Sequence, residues 1–544
     1  MLVYKLAKFY RSHFKIILVL SFLALALLAW SNRFIQDDAF ISFRYADNFI
    51  HGKGLVWNEG ERVEGYTNFL WTLIISVPIF LNLDPTRFSF AIGILLFALS
   101  LYFTYRLAAT LLQSNHLALL TVIFLGTNHT FSSYATGGME TQLQTCLFVA
   151  CMFLLSDSVA SRRWSRMRLC LLSVLLGLAV LTRPDSVLLV SVALPVMLFH
   201  IRRAEGERQK SLLSVCVLGP LVVLVGGWLF WKLRLYGSVL PNTFYVKVAS
   251  LNSLKRGMFY VYLFFQSYWL MLFPFLFLIF SRRLFHEKNR QWIVLSMLVA
   301  LWLLYVVFVG GDFMEFRFIV PILPFIFMHI AWLIFVPLRR LKLQIVLVVL
   351  VLAGALHHAL TFTNPSLRYY DIESTRGLSD LLTQESTDWI GIGKVLGESF
   401  NHDANVSIAT TAAGAIPYYS RMKAIDILGL NDKWVARHGE IVAAKPGHQR
   451  RAPLSYLIER KVNLLIGHPQ MVSTASDGPA EPLSENYFYT RITPRDVLPQ
   501  NARILEIPIN QGYKLRLLYL TESPLVDETI KRKGWKTYPF VRSD

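Results

Sequence analysis

The sequence predicts a polytopic α-helical membrane protein of about eleven transmembrane helices, followed by a soluble C-terminal α/β domain. Three observations carry that expectation. Apolar runs of spanning or near-spanning length recur from residue 14 to residue 361, the links between many of them are short and basic, and after residue 362 the composition turns soluble. Hydrophobic residues make up 54% of the chain and charged ones 16%, which excludes a disordered chain and argues against an ordinary soluble enzyme.

The runs fall at 14–31, 88–106, 115–131, 141–158, 168–183, 185–201, 212–233, 258–280, 292–310, 318–336 and 343–361. The first follows Lys5, Lys8, Arg11 and Lys15 and has no small-residue cleavage site, so it reads as a span and not as a removable signal. The net charge of +19 is no nucleic-acid footprint. Residues 363–544 hold 22 Lys/Arg against 20 Asp/Glu, so the excess lies in 1–362. Much of it sits in the N-terminal group, Arg106, Arg162 to Arg168, Arg202 to Lys210, Arg282 to Arg290 and Arg339 to Lys342. Placing every cluster in the cytoplasm puts the N-terminus inside and the C-terminal domain outside. A further crossing at the apolar stretch 69–84 would invert every later link, so that stretch is expected to lie at the interface or to insert halfway.

The expected domains are therefore a membrane domain over 1–362, with a first outer loop at 32–71, and an extracytoplasmic domain over 363–544. In the latter, NVSIATTAAGAIPYYS, MKAIDILGLND, SYLIERKVNLLIG, ARILEIPI and KLRLLYLT read as short strands with intervening helices. Cys146, Cys151, Cys170 and Cys216 all lie in apolar runs and suggest neither a disulfide framework nor a cysteine metal site.

The topology gathers the polar motifs on the outer side: the Asp37–Trp71 loop, ATGGMET (135–141), TRPD (182–185), YGSVLPNTFYVK (236–247) and GGDFMEFRF (310–318). The adjacent acids Asp37 and Asp38 follow the first span directly. Acids beside a bilayer are costly and usually functional. One carboxylate can take the proton from an acceptor hydroxyl while its neighbour positions the acceptor or a cation; capping the following helix is the bland alternative, and it needs only one acid. Arg44, Tyr45, Glu64, Tyr66, Thr67 and Asn68 share the loop and could line a sugar and phosphate pocket, or equally stabilise the loop itself. Arg183 is a cation on the outer face that wants an anion, either Asp185 or a lipid phosphate. Glu140 stands at a helix start, where the helix dipole alone explains it. Asn242, Tyr245 and Lys247, and Asp312, Glu315 and Arg317, repeat the pattern of amides and charges at the outer boundary. Lys247 and Arg317 suit a phosphate-linked lipid, with interfacial snorkelling as the alternative. No HExxH, P-loop or Rossmann pattern occurs; the sequence establishes no cofactor, and a divalent cation is compatible with the acid pair.

Together these residues resemble the GT-C superfamily of polyprenyl-phosphate-sugar glycosyltransferases, and within it the bacterial terminal arabinofuranosyltransferase and LphB-like type. The resemblance rests on DDAFISFRYADN (37–48), GKGLVWNEGERVEGYTNFLW (52–71), GGMET (137–141), LTRPD (181–185), YGSVLPNTFYVK (236–247), RFIVPILP (317–324), GAIPYYS (414–420) and IDILGLND (425–432). It implies an inverting transfer from a polyprenyl-phosphate sugar to a glycan, lipid-linked or protein acceptor outside the bacterial cytoplasmic membrane. Asp37 or Asp38 would be the base, and Arg44, Arg183, Lys247 and Arg317 would be ligands of the donor phosphate. D-arabinofuranose is the sugar the resemblance suggests; related folds move mannose, aminoarabinose, glucose and oligosaccharides. The competing class is a transporter or flippase of lipid-linked intermediates, which would carry its ionisable groups near mid-membrane and often show repeated halves. Here they sit at span ends, without a repeat.

Overall fold

The computed structural model describes residues 12–161, 164–203, 206–246, 251–286, 290–362, 372–402, 405–442, 447–476 and 498–540. Lys247 lies outside the described residues. The chain divides into two compact units. One comprises Met1–Phe34, Thr86–Phe230 and Ser250–Ser374, the other Ile35–Pro85, Trp231–Ala249 and Thr375–Asp544. The sequence suggested a single boundary at residue 362; by compactness, most of the first outer loop and the 231–249 segment instead belong with the C-terminal residues.

Eight helices among the described residues are long and apolar enough to cross a membrane: Phe14–Ser31, Pro85–Leu112, Thr141–Ser161, Pro184–Arg202, Glu207–Tyr236, Arg290–Phe308, Arg317–Phe335 and Leu341–Thr361. The protein is thus a multi-pass membrane protein. Ser253–Ser267 and Leu272–Leu284 would make a ninth span if counted as one, but they are bent by 97° at their break. Trp269 sits in that break with φ 57°, a backbone conformation that ends a helix and that bulky residues rarely adopt. Two of the eleven expected runs form shorter helices. Asn115–Thr127 and Arg166–Thr182 have 13 and 17 residues, about 20 and 26 Å at 1.5 Å per residue, against a hydrocarbon core of ~30 Å. The apolar 69–84 stretch forms Phe69–Phe80, a 12-residue helix of about 18 Å that is likewise too short to cross.

Arg317–Phe335 is 94% buried whereas Leu341–Thr361 is 28% buried. The first is apolar on every side and runs through the core of its unit; the second leaves most of its apolar surface for lipid.

In the second unit the soluble residues build a mixed sheet. Its strands are β1 (Ser407–Thr410), β2 (Lys423–Asp426), β5 (Leu464–Gly467), β6 (Met471–Ser473), β7 (Arg503–Pro508), β8 (Tyr513–Tyr519) and β9 (Lys536–Pro539), while β3 (Glu440–Ile441) and β4 (Arg450–Arg451) form a separate pair. The order is β2-β1-β5-β8-β7-β9, with β6 also on β8. The β2, β1 and β5 strands run parallel and the remaining pairings are antiparallel. Parallel neighbours need crossovers, and the helices Ala415–Ser420 and Leu454–Glu459 lie on those connections. Ala409, Ile425, Leu457, Leu465, Ile504 and Leu518 form its apolar core. The first crossover starts at the GAIPYYS motif, and the site is built on it.

Candidate functional site

In the second unit, Asp37 and Asp38 open the helix Asp37–Ile50 as its first-turn acids. Both are partly exposed. The Asp37 carboxylate accepts two backbone hydrogen bonds, from Gly414 N to Oδ2 at 2.9 Å and from Ala415 N to Oδ1 at 2.7 Å. Those donors belong to the start of Ala415–Ser420, whose own N-cap, Gly414, has no side chain to offer. Gly414 is required here by proximity: a Cβ would stand 1.8 Å from the Asp37 carbonyl oxygen. Burial pushes the Asp37 carboxyl up to about 7, and the charge of Asp38 adds to the rise, against the opposing pull of the two N–H donors.

Arg44 lies two turns further along the helix and is buried. Its Nε donates to Trp57 O at 2.7 Å, its Nη2 to Asn58 Oδ1 at 3.0 Å and to Met422 O at 2.8 Å, and its Nη1 to Pro417 O. The guanidinium also stacks 4.9 Å over the Trp57 ring. Four protein acceptors meet a group with five N–H donors. The sequence offered Arg44 to a donor phosphate; the structure gives it to neutral acceptors within the protein, because the loop and the 417–422 turn leave their carbonyls pointing inward.

The other loop candidates share that use. Tyr45 donates to Val63 O at 2.8 Å and accepts from Gly65 N at 2.9 Å. Glu64 pairs with Lys232 at 2.8 Å, both nearly inaccessible, and burial pushes its carboxyl up to about 7 despite that cation. Tyr66 meets the Tyr236 hydroxyl at 3.2 Å, and Asn68 bonds Ser42 at 3.0 and 3.1 Å. Asn242 donates from its side chain to Gly429, Leu430 and Asp432 carbonyls. The IDILGLND turn that receives it is organised by Asp426, which accepts from Leu428 N, Gly429 N, Asn431 N and the Asn431 amide. Sequence reasoning missed Lys232, Asn58 and Asp426. The first sits inside an apolar run, and the other two carry no local signal of their distant partners.

The first unit holds a second charged cluster. Arg183 donates through Nη1 to Glu140 at 2.8 Å and through Nη2 to Asp185 at 2.7 Å. Gln144 and Tyr305 add hydrogen bonds to Asp185 at 2.8 and 3.2 Å. Arg317 donates through Nε to Asp312 at 2.6 Å and touches Met139 Sδ at 3.6 Å. Arg183 and Arg317 each lie 5.2 Å from the centre of the Phe318 ring. GGMET, TRPD and GGDFMEFRF are thereby brought to one place. The Nη2 of Arg317 has no partner among the described residues, and the side chain is 12% exposed. Glu315, from the same stretch, turns away into the core, where it accepts from Thr130 at 3.1 Å and pairs with His358 at 2.9 Å. No group of three His, Cys, Asp or Glu side chains that could hold a metal occurs among the described residues.

Comparison with solved structures places this architecture. ArnT from Cupriavidus metallidurans bound to undecaprenyl phosphate superimposes with a TM-score of 0.54 at 12% identity, over 94% of this chain and 99% of that one. Its apo state gives 0.51 at 13% identity, over 94% and 98%. The chain shares the fold of ArnT. A curated relative, the terminal β-(1→2)-arabinofuranosyltransferase of Mycobacterium tuberculosis, is 28% identical over 268 residues, 45% of this chain. The match spans 41% of that relative's length. Residues 379–517 match a family model described as a domain of unknown function, DUF8728.

Proposed function

We propose that the protein is a membrane glycosyltransferase that moves a sugar from a polyprenyl-phosphate donor to a hydroxyl of a cell-envelope acceptor, outside the cytoplasmic membrane. D-arabinofuranose is the sugar favoured by the curated relative. The observation that carries the reading is the setting of the acid pair. Asp37 is partly exposed, fixed in orientation by two N–H donors and shifted toward neutrality, which suits a general base at physiological pH. Each carboxylate oxygen has a second lone pair beyond the one that accepts the backbone bond.

In this reaction the acceptor oxygen attacks the anomeric carbon as the bond from that carbon to the phosphate oxygen breaks. The acceptor proton passes to Asp37, and the lipid phosphate departs with the electron pair. A single displacement inverts the anomeric centre. Asp38 orients the acceptor or a cation. Charge on the departing phosphate is met by cations, a role assigned to Arg317 and Lys247; Arg183, whose Nε, Nη1 and Nη2 all bond Asp185 or Glu140, sets the geometry of its cluster instead. Arg44 is left out, since its donors are engaged.

The test is a transfer assay on purified, reconstituted protein with a panel of polyprenyl-phosphate sugars and envelope glycans. Transfer from one donor, with inverted product configuration, is expected. Binding of the lipid without transfer from any donor would favour the transport of lipid-linked intermediates instead. A reporter fused after Asp544 that is active only in the cytoplasm would refute the outer placement of the C-terminal domain.

A further inference from the structure

We infer that the domain matched over residues 379–517 is a working part of the catalytic centre: its Gly414–Ala415 peptides are positioning groups for Asp37. The inference rests on the reading of Asp37 as base and goes beyond it by giving the C-terminal domain a role in the chemistry.

Three observations within one compact unit support it. The two carboxylate oxygens of Asp37 are each held by a separate peptide N–H, at 2.9 and 2.7 Å, so the plane of the group is fixed and not merely its position. The approach is so close that only glycine fits at 414. The same segment is anchored a second time two turns along the helix, where Arg44 bonds the carbonyls of Pro417 and Met422. Phe40, from the intervening turn, packs its ring 5.6 and 5.5 Å from those of Tyr418 and Tyr419. The base is therefore bolted to the 414–422 segment at each end of its first two helical turns. A capping role alone would need one acceptor and would leave the Arg44 anchor without purpose.

Peptide N–H groups stabilise the ionised carboxylate. The charged groups acting on Asp37 are Asp38 beside it and Asp426 at the end of β2, and both oppose ionisation. The two N–H donors thus counter burial and two like charges. Removing one leaves those terms in place, so the carboxyl must titrate at higher pH.

The experiment replaces Ala415 by lactic acid in the full-length protein, which turns the N–H into an ester oxygen without changing the side chain. Ala415→Gly, which keeps the N–H, is the control, and Gly414→Ala is the steric variant. Asp37 ionisation is followed directly by infrared difference titration against Asp37→Asn, which needs no substrate. The ester should raise the midpoint by about half a pH unit or more, and Ala415→Gly should leave it in place. With undecaprenyl-phosphoryl D-arabinofuranose as donor and an alkyl arabinofuranoside as acceptor, the ester should lower kcat at least fivefold with donor KM within twofold. An unmoved midpoint in folded ester protein overturns the inference, whatever the activity. If Asp37→Asn retains full transfer, the base reading fails; if Asp37→Asn is dead while the ester behaves as wild type, only the positioning inference fails.

Discussion

The two charged clusters are built from the same residue types and are used in opposite ways. In the second unit, Arg44 is a buried cation that meets neutral carbonyls and an amide, and no carboxylate among the described residues bonds it. In the first unit, Arg183 and Arg317 meet Glu140, Asp185 and Asp312, and Arg317 keeps an Nη2 without a partner among the described residues. An arginine bonded to neutral acceptors of its own chain on every nitrogen is part of the scaffold. One held at a single edge by a carboxylate is oriented, with donors left for an anion. Cation identity therefore says little; the direction its remaining N–H groups face decides its use.

Four substitutions break or sharpen that contrast. The largest effect is expected at the acid pair: Asp37→Asn should lower transfer ~10²- to 10⁴-fold, the usual loss when a general base is removed, with folding retained. Next, Arg44→Ala should destabilise the protein severely, since it strands several buried acceptors that each cost ~1–3 kcal/mol when left unpaired. Its signature is a lowered Tm with unchanged donor affinity in the surviving folded fraction. Arg317→Ala should weaken donor affinity roughly tenfold or more, as fits a hydrogen bond to a charged group worth ~1.5–3 kcal/mol, with a smaller loss of Tm than Arg44→Ala because it strands one carboxylate, Asp312. Unchanged affinity would leave Arg317 as a snorkelling residue. The smallest effect is expected for Arg183→Lys, which keeps the charge and loses the fork that spans Glu140 and Asp185; a several-fold loss of donor affinity in direct binding is predicted.

pH separates the clusters further. With Asp37 as base, transfer should fall tenfold per pH unit below about 7, since the protonated carboxyl cannot accept the hydroxyl proton. Stability runs the other way. A carboxyl raised above its ordinary value near 4 contributes stability that is fully present below that value and lost as pH rises through about 7. Thermal unfolding of wild type against Asp37→Asn across pH 4 to 8 should show this opposition: the protein is less stabilised by Asp37 where it is more active.

Much of this architecture was legible in the sequence, because bilayer thickness and backbone hydrogen bonding leave few options for apolar runs. Length and composition admit eight or nine spans among the described residues, and two local breaks bear on the runs that differ. Asn115–Thr127 stops at Asn128, which caps the next short helix through a bond from Phe131 N at 3.0 Å. The 258–280 run is continuous in hydropathy yet bends sharply at Trp269. The acid pair was visible from its place after the first span. Its partner was not, because Asp37 and Gly414 are far apart in sequence and the glycine is demanded by a tertiary approach. The partners of Arg44 were hidden for the same reason. A sequence shows a cation and a nearby acid, Asp47, but not the Pro417 and Met422 carbonyls that a distant turn delivers. The first-unit cluster was readable as three separate motifs, each with a bland explanation; Phe318, under both arginines, and Tyr305 carry no signal beyond an aromatic in an apolar run.

The most direct test of the central claim is single-turnover transfer from a polyprenyl-phosphate sugar by reconstituted wild type and Asp37→Asn, with donor saturating and pH varied from 5.5 to 8.5. The account predicts a wild-type rate that climbs through about pH 7 and then levels, and an Asn variant that binds donor normally yet transfers at least about a hundredfold more slowly on that plateau, the gap narrowing as pH falls. An Asn variant that matches wild type, or a wild-type rate flat across that range, would contradict it.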